Sequence, residues 1–104
     1  MSIFLDVMKE ELDRNLFKQK AFRDELNKLP KGYLSLCSIE GKQYLYRKRR
    51  EGNHILSEYV GVPGDENSLK AEEERKQYLY IKQSLKELID EEKRLRRAIK
   101  NYQK

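Results

Sequence analysis

Residues 29–61 read LPKGYLSLCSIEGKQYLYRKRREGNHILSEYVG, and apolar side chains recur there at every second position. This alternation is typical of β-strands, because successive side chains point to opposite faces of a sheet. Glu40-Gly41 and Glu51-Gly52-Asn53 supply glycine where a tight hairpin turn needs a positive φ. We therefore predict a three-stranded antiparallel β-meander over 32–61, with strands at 33–39, 42–50 and 54–60.

Pairing through two-residue turns sorts the strand side chains between two faces of this meander. One face is aliphatic and collects Leu34, Leu36, Leu45, Leu56 and Val60. The other face is rich in tyrosine, serine and cations and collects Tyr33, Ser35, Cys37, Tyr44, Tyr46, Lys48, Arg50, Ile55, Ser57 and Tyr59. We expect the aliphatic face to pack onto helix, which leaves the tyrosine-rich face closer to solvent.

A helix is predicted on each side of the meander, because apolar residues there follow a heptad pattern. The first helix covers 1–29, with core positions at Leu5, Met8, Leu12, Phe22, Leu26 and Leu29. Asn15 and Gln19 fill its two remaining core positions, where Leu16 and Phe17 could widen the apolar stripe. Ser2 is expected to cap this helix.

The second helix is predicted over 68–102, after a turn-rich linker at 61–67, with Ser68 as its N-cap. Its apolar core positions are Tyr78, Ile81, Leu85, Leu88, Leu95, Ile99 and Tyr102. Glu92 is the polar exception in this pattern. Residues 93–104 carry six basic side chains and no acid, a placement that suits a helix C-terminus.

The two helices are expected to pair as an antiparallel coiled coil, which makes the chain an α+β protein with one domain over 1–104. This pairing places Leu5 near Ile99, Met8 near Leu95 and Leu26 near Tyr78. Asn15, Gln19 and Glu92 weaken such a pair, although polar core positions can also set its register. The sequence leaves open a homodimer that completes a four-helix bundle.

The composition excludes several classes of protein. The chain has 104 residues, with 38% hydrophobic and 39% charged, so its core must be thin. One cysteine, Cys37, cannot close a disulfide, no apolar run could span a bilayer, and Asp6 interrupts the apolar start that a signal peptide needs. We therefore expect a cytoplasmic protein.

Catalysis is not expected, because the chain holds one histidine and one cysteine and no Ser-His-Asp arrangement can be placed. His54, beside a turn, is expected at the surface, since a metal site needs three or four ligands. The glycines are isolated turn residues and do not form a phosphate-binding loop. We predict a non-enzymatic protein with no cofactor, no metal and no small-molecule substrate.

The strongest functional signal is a group of cations and tyrosines on the second predicted strand. Its members are Lys42, Tyr44, Tyr46, Arg47, Lys48, Arg49 and Arg50. Cations neutralise phosphates and tyrosines stack on bases, so we predict contact with DNA or RNA. Arg47 and Arg49 project to the face opposite Lys48 and Arg50, which favours the hairpin tip, 47–53, as the contact. Alternatively, these residues are strand formers that keep the sheet in solution.

Several short motifs resemble those of a group of small uncharacterised prokaryotic proteins with a β-meander, a Gly-Lys turn and a tyrosine-rich second strand. The matching segments are Leu29-Pro30-Lys31-Gly32, Ile39-Glu40-Gly41-Lys42, Tyr44-Leu45-Tyr46, Arg50-Glu51-Gly52 and Tyr59-Val60-Gly61. By size and composition the chain is also similar to accessory proteins of phages and mobile elements, among them DNA-binding excision factors and anti-CRISPR inhibitors. These resemblances imply the architecture above and a small accessory protein.

Two functions from different classes follow as hypotheses. The first is a non-enzymatic accessory protein that binds nucleic acid or a nucleoprotein through the meander. The second is a protein-interaction module or inhibitor that docks on a partner protein through its coiled coil or its sheet.

Overall fold

The computed structural model describes residues 2–103; Met1 and Lys104, included in the predictions for 1–29 and 93–104, lie outside them. The elements follow in the order α1 (Ile3–Lys28), β1 (Tyr33–Ile39), β2 (Lys42–Glu51), β3 (His54–Gly61) and α2 (Glu66–Tyr102). The α+β class and the antiparallel meander between two helices are confirmed. Nowhere in 2–103 is a helix both long and apolar enough to cross a membrane.

The described residues group into two compact units. The helix unit contains residues 2–28 and 80–103, and the sheet unit contains Leu29–Leu79.

The helix unit is an antiparallel pair formed by α1 and the C-terminal part of α2, as the heptad pattern predicts. Ser2 Oγ donates a hydrogen bond of 2.6 Å to the hydroxyl of Tyr102, and Asn15 Nδ2 donates one of 2.9 Å to the carbonyl of Leu88. Ser2 Oγ also accepts from the backbone N–H of Leu5 at 3.4 Å, so the predicted N-cap is confirmed.

Three polar core residues of the helix unit, Asn15, Gln19 and Glu92, lie together and are called the polar layer. Gln19 Nε2 donates to Asn15 Oδ1 at 2.7 Å and to Glu92 Oε1 at 2.8 Å. Asn15 is 2% exposed and Gln19 is 1% exposed. Leu16 and Phe17 are exposed beside this layer, so the prediction that they widen the apolar stripe is wrong. The Leu88 carbonyl and the side chains of Arg23 and Arg96 complete the hydrogen bonding of the layer.

The sheet unit contains the meander, whose register is the one predicted by two-residue turns. Ile39 pairs with Lys42 across the first turn, and Glu51 pairs with His54 across the second. Glu40 in the first turn has a φ of 51°, and it is the one non-glycine residue within 2–103 with a positive φ. A left-handed backbone costs an L-residue about 1 kcal/mol, so Glu40 carries local strain.

The register departs from the prediction near the end of β3. Tyr46 pairs with Tyr59, but Leu45 pairs with Gly61, so Val60 is the extra residue of a β-bulge. Gly61 therefore lies opposite Leu45, where an unbroken two-residue alternation would have placed Val60.

The aliphatic face of the sheet is only partly covered. Leu45 is 4% exposed, and Leu34 lines a small cleft together with Ala71 of α2. Leu36 is 58% exposed and Leu56 is 41% exposed, so the prediction that this whole face packs onto helix is wrong for both. Leu36 lies on the edge strand β1, and Leu56 lies opposite Arg49, beyond the end of β1.

The start of α2 also differs from the prediction. The helix begins at Glu66, and Asp65 rather than Ser68 is its cap: Asp65 Oδ1 accepts from the backbone N–H of Ser68 at 2.7 Å, while Oδ2 accepts from that of Val62 at 2.9 Å. Ser68 is wholly buried in the first turn. Aspartate offers two acceptor oxygens, so it closes the linker and caps the helix at once.

The Asp65 cap predicts a pH-dependent stability. Hydrogen bonds from the N–H groups of Ser68 and Val62 hold the pKa of the Asp65 carboxyl below its usual value. A lowered folded-state pKa stabilises the protein above the unfolded pKa, and this contribution is lost as the pH falls below about 4. We expect Asp65→Asn to lower Tm at about pH 7 and to match the wild type more closely at about pH 3. Thermal melts at both pH values measure this, with the exposed Asp24→Asn as the charge-matched control; a Tm loss equal at both pH values contradicts it.

Candidate nucleic-acid interface

All seven residues of the predicted site lie on β2, and the observed register divides them between the two faces of the sheet. The side that carries most of the tyrosines is called the tyrosine face. Reading across the three strands, it consists of Tyr33, Ser35, Cys37, Ile39, Lys42, Tyr44, Tyr46, Lys48, Arg50, Ile55, Ser57 and Tyr59. Arg47 and Arg49 alternate with these residues and lie on the opposite face.

Three tyrosines form a cluster at the centre of the tyrosine face. The Tyr46 and Tyr59 rings meet edge to face, with centroids 5.6 Å apart and planes at 82°. The Tyr44 and Tyr59 rings are tilted by 48°, with centroids 6.2 Å apart. Both arrangements suit the quadrupoles of aromatic rings. The cluster is held by the pairing of β2 with β3, because Tyr46 lies directly opposite Tyr59.

Tyr59 lies in the candidate site, although the sequence-based prediction left it out. Its ring contacts both predicted tyrosines, and the residue is 50% exposed. The two-residue period of β3 places Tyr59 on the tyrosine-rich face, and this alternation was the sequence signal that could have added it to the candidate site.

The two faces differ in charge. Among the strand residues that the structure describes, none on the tyrosine face is Asp or Glu, whereas Lys42, Lys48 and Arg50 are all there. On the opposite face Arg49 lies 3.7 Å from the Glu51 carboxylate. Arg47 lies on that face too, directly opposite Glu58 of β3. The tyrosine face is therefore cationic, and the opposite face is mixed.

The cations of the tyrosine face bracket the tyrosine cluster along β2. Lys42 lies at one end of the strand, and Lys48 and Arg50 lie towards the other. At about 3.3 Å per residue, Lys42 and Lys48 are separated by about 20 Å. The face thus has an aromatic centre with positive charge at both ends.

The hairpin tip carries its arginines on opposite faces of the sheet. Beyond the end of β1, β2 and β3 continue as a two-stranded ribbon for three residue pairs, from Arg49 with Leu56 to Glu51 with His54. Of the arginines in this ribbon, Arg49 is paired with Glu51 and Arg50 belongs to the tyrosine face. His54 is exposed beside the turn, as predicted.

Comparisons with protein-family models, with curated proteins and with solved structures find no match for this chain. The resemblance to small prokaryotic proteins and to phage accessory proteins therefore stays a prediction.

Proposed function

We propose that this protein is a non-enzymatic nucleic-acid-binding protein whose contact surface is the tyrosine face. The observation that carries the proposal is the separation of charge between the two sides of the sheet. Lys42, Lys48 and Arg50 share the tyrosine face with four tyrosines and with no carboxylate, whereas the arginines of the opposite face lie beside or opposite glutamates. A polyanion gains most from cations that have no carboxylate nearby.

Two double variants on the same strand test this proposal. Lys48→Gln/Arg50→Gln removes two charges from the tyrosine face, and Arg47→Gln/Arg49→Gln removes two from the opposite face. Fluorescence polarisation with a labelled oligonucleotide, repeated between about 50 and about 200 mM salt, gives the affinity and its salt slope.

We expect the tyrosine-face variant to lower the affinity by about tenfold and to reduce the salt slope by about 1.4, since each lost phosphate contact removes about 0.7 for a single strand. The opposite-face variant has the same net charge and should change both far less. Equal effects of the two variants, or binding that does not respond to salt, would contradict the proposal. Circular dichroism is the check that both variants are folded.

A second candidate function, docking on a protein partner through the coiled coil, is favoured by one observation. Phe4 and Phe17 of α1 are 72% and 76% exposed, and Phe4 lies beside the exposed Ile3 and Val7 in the first turns of the helix. Contiguous exposed apolar side chains are a feature of binding surfaces. A partner protein that co-purifies after nuclease treatment, and that is lost from Phe4→Ser/Phe17→Ser, would support this function. Retention by that variant would count against it.

A further inference from the structure

The arrangement of rings and charges on the tyrosine face also bears on the class of nucleic acid, and this inference rests on the proposed function. We propose that the face binds single-stranded nucleic acid, with unpaired bases against Tyr44, Tyr46 and Tyr59 and phosphates beside Lys42, Lys48 and Arg50.

The ring geometry leaves aromatic surface available for bases. Tyr46 meets Tyr59 at 82° and Tyr44 meets it at 48°, so neither pair is stacked face to face. Tyr59 is 50% exposed, and Tyr33 on the same face is 47% exposed. Every base has a π-face that can stack on such a ring, whatever its identity. The cluster therefore fits bases that are free of a duplex.

The spacing of the cations fits an extended strand that runs along β2. Lys42 and Lys48 lie about 20 Å apart on either side of the cluster, and Arg50 continues the same row. Proteins that bind single-stranded nucleic acid combine a positively charged track for its backbone with aromatic rings for its bases. Both parts of this arrangement are present on one face.

Duplex DNA fits the same surface poorly. Its bases stack on one another, so the tyrosine cluster would meet sugar and phosphate instead of base faces. The major groove is about 12 Å wide, and the β structure known to enter it is a two-stranded ribbon. The two-stranded part of this sheet is three residue pairs long. It is too short to fill the major groove as a ribbon.

Fluorescence polarisation compares the affinity for single strands with the affinity for a duplex. The probes are labelled RNA and DNA single strands of about 12 nucleotides in mixed sequence, and a blunt DNA duplex of about 12 base pairs. We expect the wild type to bind at least one single strand about tenfold more tightly than the duplex. Tighter binding of RNA, of DNA or of both equally supports the proposal, and the two probes identify which strand is preferred.

Two double variants test the role of the rings. Tyr46→Leu/Tyr59→Leu removes two rings of the cluster and should weaken single-strand binding by about tenfold or more, and duplex binding far less. Tyr46→Phe/Tyr59→Phe keeps the rings and should bind within about twofold of the wild type. The chain has seven tyrosines and no tryptophan, so quenching of tyrosine emission by stacked bases offers a second readout. This quenching should accompany single-strand binding in the wild type; both double variants lack the emission of Tyr46 and Tyr59, so their affinities are what compare them.

The results distinguish failure of this inference from failure of the proposed function. If the duplex binds as tightly as the single strands, and the leucine variant keeps its affinity while Lys48→Gln/Arg50→Gln loses it, the face binds nucleic acid but not through stacking. The single-strand inference is then wrong and the proposed function stands. If no probe binds in a salt-dependent manner, both are wrong.

Discussion

Alanine in place of Gly32 is expected to destabilise the sheet unit by about 3 kcal/mol or more, enough to unfold a marginal domain. Gly32 has a φ of +105°, which side chains rarely adopt. A β-carbon there would collide with the carbonyl oxygen of Lys48 and come within 3.1 Å of the Arg49 β-carbon. The obstacle is the backbone of Lys48, which pairs with Tyr33 at the start of the β1–β2 ladder and with Ser57 of β3, so it cannot move aside without disturbing strand pairing.

The same residue connects the start of the sheet with α2 inside the sheet unit. Arg75 of α2 donates a hydrogen bond to the Gly32 carbonyl, and its guanidinium lies 5.2 Å from the centre of the Tyr78 ring. A displaced Gly32 therefore also disturbs this cation–π contact. The expected loss of stability includes both the strained turn and the contact that holds α2.

Thermal unfolding followed by circular dichroism measures the effect of Gly32→Ala. Gly52→Ala is the matched control, because Gly52 also has a positive φ, of +61°, but a β-carbon there would have nothing within 4 Å. Backbone strain alone costs about 1 kcal/mol, which lowers Tm by about 4–8 °C. Gly32→Ala should lower Tm at least twice as far. Equal losses of Tm in the two variants would show that the collision with Lys48 adds nothing to the destabilisation.

Leucine in place of Gln19 is expected to destabilise the helix unit by about 2–3 kcal/mol, although leucine is the common residue at such a position. The Gln19 amide donates to Asn15 and Glu92, and its carbonyl accepts from Arg23 at 3.0 Å. Removing it leaves Asn15 Oδ1 and Glu92 Oε1 without the donor that they share. A buried polar group that loses its partner costs more than the hydrogen bond was worth.

Replacing the whole polar layer should reverse this loss. In Asn15→Leu/Gln19→Leu/Glu92→Leu no polar partner is left behind in the core, so the free energy of unfolding should return close to that of the wild type or exceed it. We expect the triple variant to lose a unique helix register. Gln19 meets Glu92 at one register of the two helices, whereas leucines can pack at several. Additional backbone resonances in an NMR spectrum would report the alternative registers.

Urea unfolding of the single and triple variants measures these free energies. Gln83→Leu is the control, since Gln83 is an exposed residue of α2 whose amide donates to Glu87, and it should change stability by less than about 0.5 kcal/mol. A triple variant that is less stable than Gln19→Leu would refute the account of the polar layer as a set of mutually satisfied groups.

The polar layer also responds to acid. Hydrogen bonds from Gln19 and Arg96 hold the pKa of the Glu92 carboxyl below its usual value. The layer is thus most favourable above the unfolded pKa of a glutamate and weakens as the pH falls through the acid range. The triple variant lacks this carboxylate, so part of the acid sensitivity of the helix unit should disappear with it.

Much of the fold follows from local patterns in the sequence. The heptad spacing identifies the core positions of α1, and all of those within the described residues are buried or half-buried. The two-residue turns set the register of the meander, which in turn assigns Lys42, Tyr44 and Tyr46 to one face and Arg47 to the other. Each of these properties depends on residues a few positions apart, so periodicity and turn length are sufficient to predict it.

Other features depend on residues that are distant in sequence. That Asn15, Gln19 and Glu92 satisfy one another depends on the stagger of two helices, and the periodicity of either helix alone contains no information about it. The bulge at Val60 places Gly61 opposite Leu45, a placement that strict alternation does not predict.

The candidate site shows the same division. Its cations and tyrosines are visible in the sequence of residues 42–50, together with the alternation that separates Arg47 and Arg49 from their neighbours. The pairing of β3 with β2 distinguishes the two faces, because it brings Tyr59 against Tyr46 on one face and Glu58 opposite Arg47 on the other. Charge and aromatic character are properties of single residues, but which cations keep a carboxylate nearby and which rings cluster depends on strand pairing.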